Sequence, residues 1–182
     1  MTADQVVQLS LFGDRAAARA VAQRYDVPLY RRTGEGDDLW ACAHPADDAV
    51  AAVDVSRGQL AYGGRQPGGA VTGSVLTALW FDAPEERGDS FVDWFRDEHG
   101  PLLLEEPAWL RIRQLRLDAS TRSATHLVLH DLADPSAFSS PALAAARETP
   151  ARCEWAAQEW FANNVTMVFA REETPLPTGG AG

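Results

Sequence analysis

Four histidines, His44, His99, His126 and His130, are the side chains of this 182-residue chain best suited to moving a proton near neutral pH. His99 has the most informative setting, within FVDWFRDEHGPLLLEEPAWLRIRQLRL at residues 91–117. Phe91, Phe95 and His99 follow at four-residue spacing, with Trp94, Glu98 and Leu102 on the adjoining stripe. A helix over residues 90–99 therefore turns an aromatic side inward and carries His99 on it. Ser90 is the expected N-cap with Asp93 as a short capping-box partner, and Gly100-Pro101 is the expected stop. In a last turn, the helix dipole, Asp97 and Glu98 favour the imidazolium form, whereas aromatic neighbours oppose it by desolvation. The balance predicts titration near neutral pH, as a general acid or base requires. The competing reading has His99 cap the helix by donating to a carbonyl.

His126 and His130 share one face of a strand and, at ~3.3 Å per residue, stand ~13 Å apart, too far to hold one metal ion. No other metal-ligand spacing occurs, so no metal site is expected. His130 and Asp131 point to opposite faces of such a strand, and a solvent-facing His130 at a strand edge is equally consistent with the pattern. Arg111 and Arg113 are candidates to hold a substrate carboxylate, phenolate or enolate, or else form a solvated rim. Trp94, Phe95, Trp109 and Trp80 fit the walls of a pocket for a flat apolar ligand, or an ordinary core. Together His99 as the catalytic residue and Trp94, Phe95, Trp109, Arg111, Arg113, His126 and His130 as substrate-binding residues make the candidate site.

Other chemistries are excluded by what is missing. All 16 basic residues are arginine, which removes a Schiff-base or pyridoxal-phosphate lysine and a P-loop lysine. Neither a Gly-x-Ser-x-Gly elbow nor a dinucleotide-binding Gly-x-Gly-x-x-Gly occurs in the required context. Cys42 and Cys153 lie far apart and predict free thiols. A net charge of −10 argues against nucleic-acid and anionic-membrane partners. No apolar run approaches the ~20 residues of a membrane span, and no basic segment precedes an apolar one at the start, so the expected compartment is the cytoplasm.

Phe91-x-x-Trp94-Phe95-x-x-Glu98-His99-Gly100-Pro101, followed by Leu102-Leu103 and Pro107-Ala108-Trp109-Leu110-Arg111, resembles the helix-to-strand signature of the EthD-like dimeric α/β-barrel family. The resemblance covers about residues 74–171. It implies an α+β fold of ferredoxin-like βαββαβ units, in which one sheet packs on a second to enclose a cavity. Related barrels include polyketide cyclases, cofactor-free monooxygenases, lyases and haem enzymes, so the fold alone leaves function open.

The elements that must position these residues come in a repeated order. Residues 5–12 read as a strand, Asp14 caps a helix to about Tyr25, residues 29–33 and 38–44 read as strands, 48–55 as a short helix and 59–62 as a last strand. The second half repeats β, α, β, β, α, β with strands at 74–81, 109–117, 125–132 and 164–171. Its second helical region opens at Ser140-Pro141 and restarts at Thr149-Pro150. This predicts a degenerate ferredoxin-like half over residues 1–63, a glycine-rich linker over 64–73, an EthD-like half over 74–172 and a disordered tail over 173–182. Two such halves would form a barrel within one chain. Alternatively, the first is an unrelated extension and the second pairs with another chain as a homodimer.

The expected function is cofactor-independent His acid–base chemistry on a hydrophobic, polyketide-like or aromatic carbonyl compound, of cyclase, isomerase, dehydratase, lyase or monooxygenase type. A non-catalytic ligand-binding or accessory barrel and a haem-dependent barrel enzyme are the alternatives.

Overall fold

The computed structural model describes residues 6–34, 38–46, 50–68 and 72–172. Eight strands close into one barrel, in the order β1-β3-β2-β8-β5-β7-β6-β4. The first half supplies β1 (Val6–Phe12), β2 (Tyr30–Arg32), β3 (Trp40–Pro45) and β4 (Asp54–Arg65), and the second supplies β5 (Val75–Phe81), β6 (Trp109–Ser120), β7 (His126–Leu132) and β8 (Val165–Arg171). Within each half the strands lie in the ferredoxin-like order fourth-first-third-second. The halves join twice, each time by the fourth strand of one and the second of the other, through β4–β6 and β2–β8. This pseudo-twofold arrangement is the internal pair predicted from the element order. A hydroxyl–imidazole pair also joins the first and third strands of both halves: Ser10 with His44 (2.9 Å) and Thr77 with His130 (3.1 Å).

Alternation along the strands divides the side chains between two cores. Leu76, Ala78, Trp80, Leu127, Leu129, Leu115 and Phe169 fill the barrel interior with Leu9 and Leu11 of the first half. The opposite parity, including Phe81, Val128 and Leu132, faces the helices and meets Phe91, Trp94, Phe95, Leu103 and Phe161. Phe91 is fully buried and touches the rings of Phe81, Trp155, Trp160 and Phe161, a burial that contributes about 1.5–3 kcal/mol.

The first half is the plainer one. Its helix α1 (Arg15–Tyr25) starts where Asp14 accepts from the Ala17 N–H at 2.8 Å, as the sequence predicts. Of the short helix expected at 48–55, the described residues form none: 50–53 are irregular and Asp54 and Val55 already belong to β4. β4 also runs through Gly63, Gly64 and Arg65, so the expected linker begins later. Gln66 is fastened by its N–H to the Leu110 carbonyl and by its side chain to that of Glu106. The long β4–β6 seam, which must pair to close the barrel, takes these residues into strand. The predicted tail, residues 173–182, lies outside the described residues.

Gly58 marks a bulge in that seam, and a Cβ there would stand 2.0 Å from the Arg116 carbonyl oxygen. Gly58→Ala is expected to cost about 1–3 kcal/mol through forced strand separation, read as a lower urea midpoint with an unchanged slope.

Candidate functional site

The helix that carries His99 is longer than expected and is interrupted. α2 (Glu85–Trp94) begins behind Pro84, with Glu85 and Glu86 suiting the positive end of the dipole. Ser90 is inside it, donating to the Arg87 carbonyl rather than capping. A π-helical turn, Phe95–His99, follows and leads directly into α3 (Gly100–Leu103). Gly100 and Pro101 therefore do not end the helix. Pro101 lacks an N–H and its ring would crowd the carbonyl four residues back; the wider turn relieves both, and the Gly100 N–H reaches the Phe95 carbonyl instead. Gly100 has ordinary helical angles, φ −63° and ψ −48°. What demands glycine is the Tyr62 ring, 2.6 Å from where a Cβ would be. The π turn also decides the place of His99. Residues five apart are not neighbours on an α-helix, yet His99 stacks on Trp94 at 4.7 Å between ring centroids, with Phe95 edge-on at 5.1 Å.

Helix α4 (Pro141–Glu148) anchors the other side of the ring. Thr149 is extended before Pro150, which ends α4 and opens α5 (Pro150–Ala156); since Pro150 has no N–H, the Ala146 carbonyl loses its helical donor. That carbonyl faces His99 and favours its protonated form, and the His99 Nδ1 is buried without a partner. Among the described residues, no side-chain capping bond from His99 to its own helix is present. Glu98, beside it, accepts from the Thr149 hydroxyl (2.5 Å) and the Trp94 indole (3.3 Å), which ties the α4–α5 junction to the π turn.

A cavity of about 250 Å³ opens between β5, β7 and β8 and the helices. His99, His130, Trp109, Trp94 and Phe95 border it, with Phe138, Arg147 and Arg152 at its mouth. Three of the buried residues carry a polar atom without a partner: His99 Nδ1, His130 Nε2 and the Trp109 indole N–H. His130 uses its other nitrogen on Thr77 and packs 5.1 Å from Trp109. Burial drives both histidines down, His99 to about 4 and His130 to about 3. For His99 the Arg152 charge adds to burial, outweighing the carbonyl and Glu98. The expected titration near pH 7 is therefore corrected: burial against the aromatic stack, with the Arg152 charge, holds the imidazole neutral.

The remaining candidates lie elsewhere. A bulge between Trp109 and Arg111 puts the indole on the helix side and turns Arg111 and Arg113 into the barrel, where they pair with Asp131 at 2.9 and 3.1 Å. They do not meet His99. Trp80 is also inside the barrel, donating to Ser56. His126 shares the helix-side face with His130 but sits under Gly88 and Phe91, outside the cavity lining. His44 has both nitrogens bonded, to Ser10 and the Pro45 carbonyl. Among the described residues no three His, Cys, Asp or Glu side chains gather as metal ligands, and no helix is long and apolar enough to cross a membrane.

No protein-family model and no curated protein matches the sequence. Solved structures do. An uncharacterised ferredoxin-fold protein of Listeria monocytogenes related to antibiotic biosynthesis monooxygenases superposes with TM-score 0.61 at 11% identity, covering 94% of this chain and 98% of its own. A haem-degrading enzyme from Listeria monocytogenes gives 0.61 at 10% identity, covering 92% of this chain and all of its own (100%). An anthrone oxidase-like protein gives 0.58 at 10%, with 93% and 92% covered.

The fold is that of the dimeric α+β barrels.

In this barrel both units come from one chain, and the cavity belongs to the second. Arg147 and Arg152 are the site residues that sequence reading missed. They lie on two short helices without a motif, Arg147 on α4 and Arg152 on α5; the one available signal was the pair of Ser/Thr-Pro helix starts, Ser140-Pro141 and Thr149-Pro150.

Proposed function

We propose that the cavity is the active site of an enzyme that moves a proton at a carbon next to a carbonyl, on a small hydrophobic or aromatic compound, without a cofactor. The observation that carries this reading is the bare Nδ1 of His99, buried beside an aromatic cavity. Nδ1 takes the proton, the C–H electron pair passes to the carbonyl oxygen, and the Trp109 N–H, donor only and unpartnered, stabilises the enolate. A neutral imidazole buried among aromatic rings is a weak base on its own, and beside a developing enolate its protonated form gains an opposite charge. Cyclisation, isomerisation, dehydration, lyase cleavage and oxygen addition all begin with this step. The Glu98-His99-Gly100-Pro101 signature supports an EthD-like member, and monooxygenase-related and anthrone oxidase-like neighbours support a carbonyl substrate. Cytoplasmic localisation belongs to the same reading.

The chain's own residues do not favour haem. The cavity's volume of about 250 Å³ falls below the ~300–1,000 Å³ of pockets that enclose drug-sized ligands, and a porphyrin is larger than most such ligands.

The test is exchange of the α-proton in D2O, followed by NMR over a panel of aryl ketones, anthrones and β-diketones. Enzyme-dependent deuterium incorporation is expected for at least one class. Binding without exchange across the panel would leave a ligand-carrying barrel in place of an enzyme.

A further inference from the structure

The mouth of the cavity holds two positive charges that nothing in the described structure neutralises. Arg147 is exposed in the last turn of α4, and Arg152 is half-buried in α5, its guanidinium 4.6 Å over the Phe161 ring. Both border the cavity. Neither has a carboxylate partner among the described residues, although the chain carries 26 acidic side chains to 16 basic ones. Glu98, the carboxylate beside His99, is bonded to Thr149 and Trp94 instead. The two arginines also repel one another, and that repulsion joins burial in opposing the charge on Arg152. Like charges held together at the rim of an apolar pocket are relieved by a shared anion, and paired guanidinium groups match the planar oxygens of a carboxylate or phenolate.

We propose that the ligand of this cavity is a small flat apolar anion, its carboxylate or phenolate oxygen held across Arg147 and Arg152 and its ring system lying between Trp94, Phe95 and Trp109. This rests on the cavity being the active site and adds the substrate class. The volume limits the apolar part to roughly one or two fused rings. Both arginine charges disfavour protonation of His99. An anion bound across them cancels that field, so the correct ligand also strengthens the base that acts on it.

The test compares 2-naphthoate with its neutral methyl ester at pH 7, by tryptophan fluorescence and calorimetry on the full chain. In the wild type the acid is expected to bind at least about tenfold more tightly than the ester, and the preference to shrink as NaCl rises. Arg147→Gln and Arg152→Gln are each expected to weaken the acid by about tenfold and leave the ester unchanged. The wild-type comparison and its salt dependence need no variant, so a folding defect in Arg152→Gln, which loses its seat on Phe161, does not remove the test. Equal binding of acid and ester, no binding of either, or preference for the ester overturns the proposal. Acid-selective, arginine-dependent binding together with no α-proton exchange on any anionic carbonyl compound upholds the anion site and rejects the enzyme reading.

Discussion

His99→Gln is expected to reduce kcat for α-proton exchange by about 10²–10⁴-fold while moving Tm by no more than a few degrees. Glutamine is close to histidine in size, and its amide N–H can donate to the Ala146 carbonyl that Pro150 leaves open. What it lacks is a nitrogen that accepts a proton. The loss therefore falls on kcat, with KM nearly constant, because the apolar walls and the arginines at the mouth remain. His130→Gln keeps a bond to Thr77 and is expected to cost tenfold or less, since His130 borders the cavity without the Ala146 carbonyl beside it. Kinetics and thermal melts on the two variants check this. A His99→Gln protein with full turnover would remove His99 from the chemistry, and a large fall in Tm would show that its role is to hold α4 against the π turn.

Acid is expected to unfold this protein well before its carboxylates titrate. His99 and His126 are held at about 4 and His130 at about 3, in each case mainly by burial. Unfolded, all three take up protons near pH 6.5. Between pH 6.5 and 4 the unfolded chain therefore binds more protons than the folded one, and stability falls as pH falls. The contribution is complete above pH 6.5 and is lost progressively toward the folded-state values. Each histidine accounts for up to ~1.4 kcal/mol per pH unit, and the three together for up to ~4, against a total of about 5–15 for a typical domain. Urea midpoints at pH 7.5, 6.5, 5.5 and 4.5 measure the slope. His126→Phe, outside the cavity, is expected to flatten it by about a third without affecting α-proton exchange. A midpoint independent of pH across this window would mean that the imidazoles are hydrated and charged in the folded state.

The sequence by itself determined the architecture. Alternation along 75–81 and 126–132, the Asp14 and Ser140 caps and the β, α, β, β, α, β order of the second half depend on neighbours within a few residues, which is why they were legible. The residues leading up to His99 are helical, as their local spacing predicts. Tertiary structure decided the site. Gly100 and Pro101 signal a stop in isolation, but Tyr62 packing on Gly100 and the relief of Pro101 by a π turn carry the helix through them, and that extra residue in the turn brings His99 onto Trp94. Strict period-two alternation would put Trp109 on one face with Arg111 and Arg113, and one bulge sends them to opposite sides of the sheet. The charge state of His99 depends on the Trp94 ring five positions before it and on Arg152, 53 positions after it. Local pattern fixes which face a residue takes; only the packed assembly of sheet, π turn and α4–α5 junction fixes what shares that face, and desolvation by those neighbours sets the chemistry.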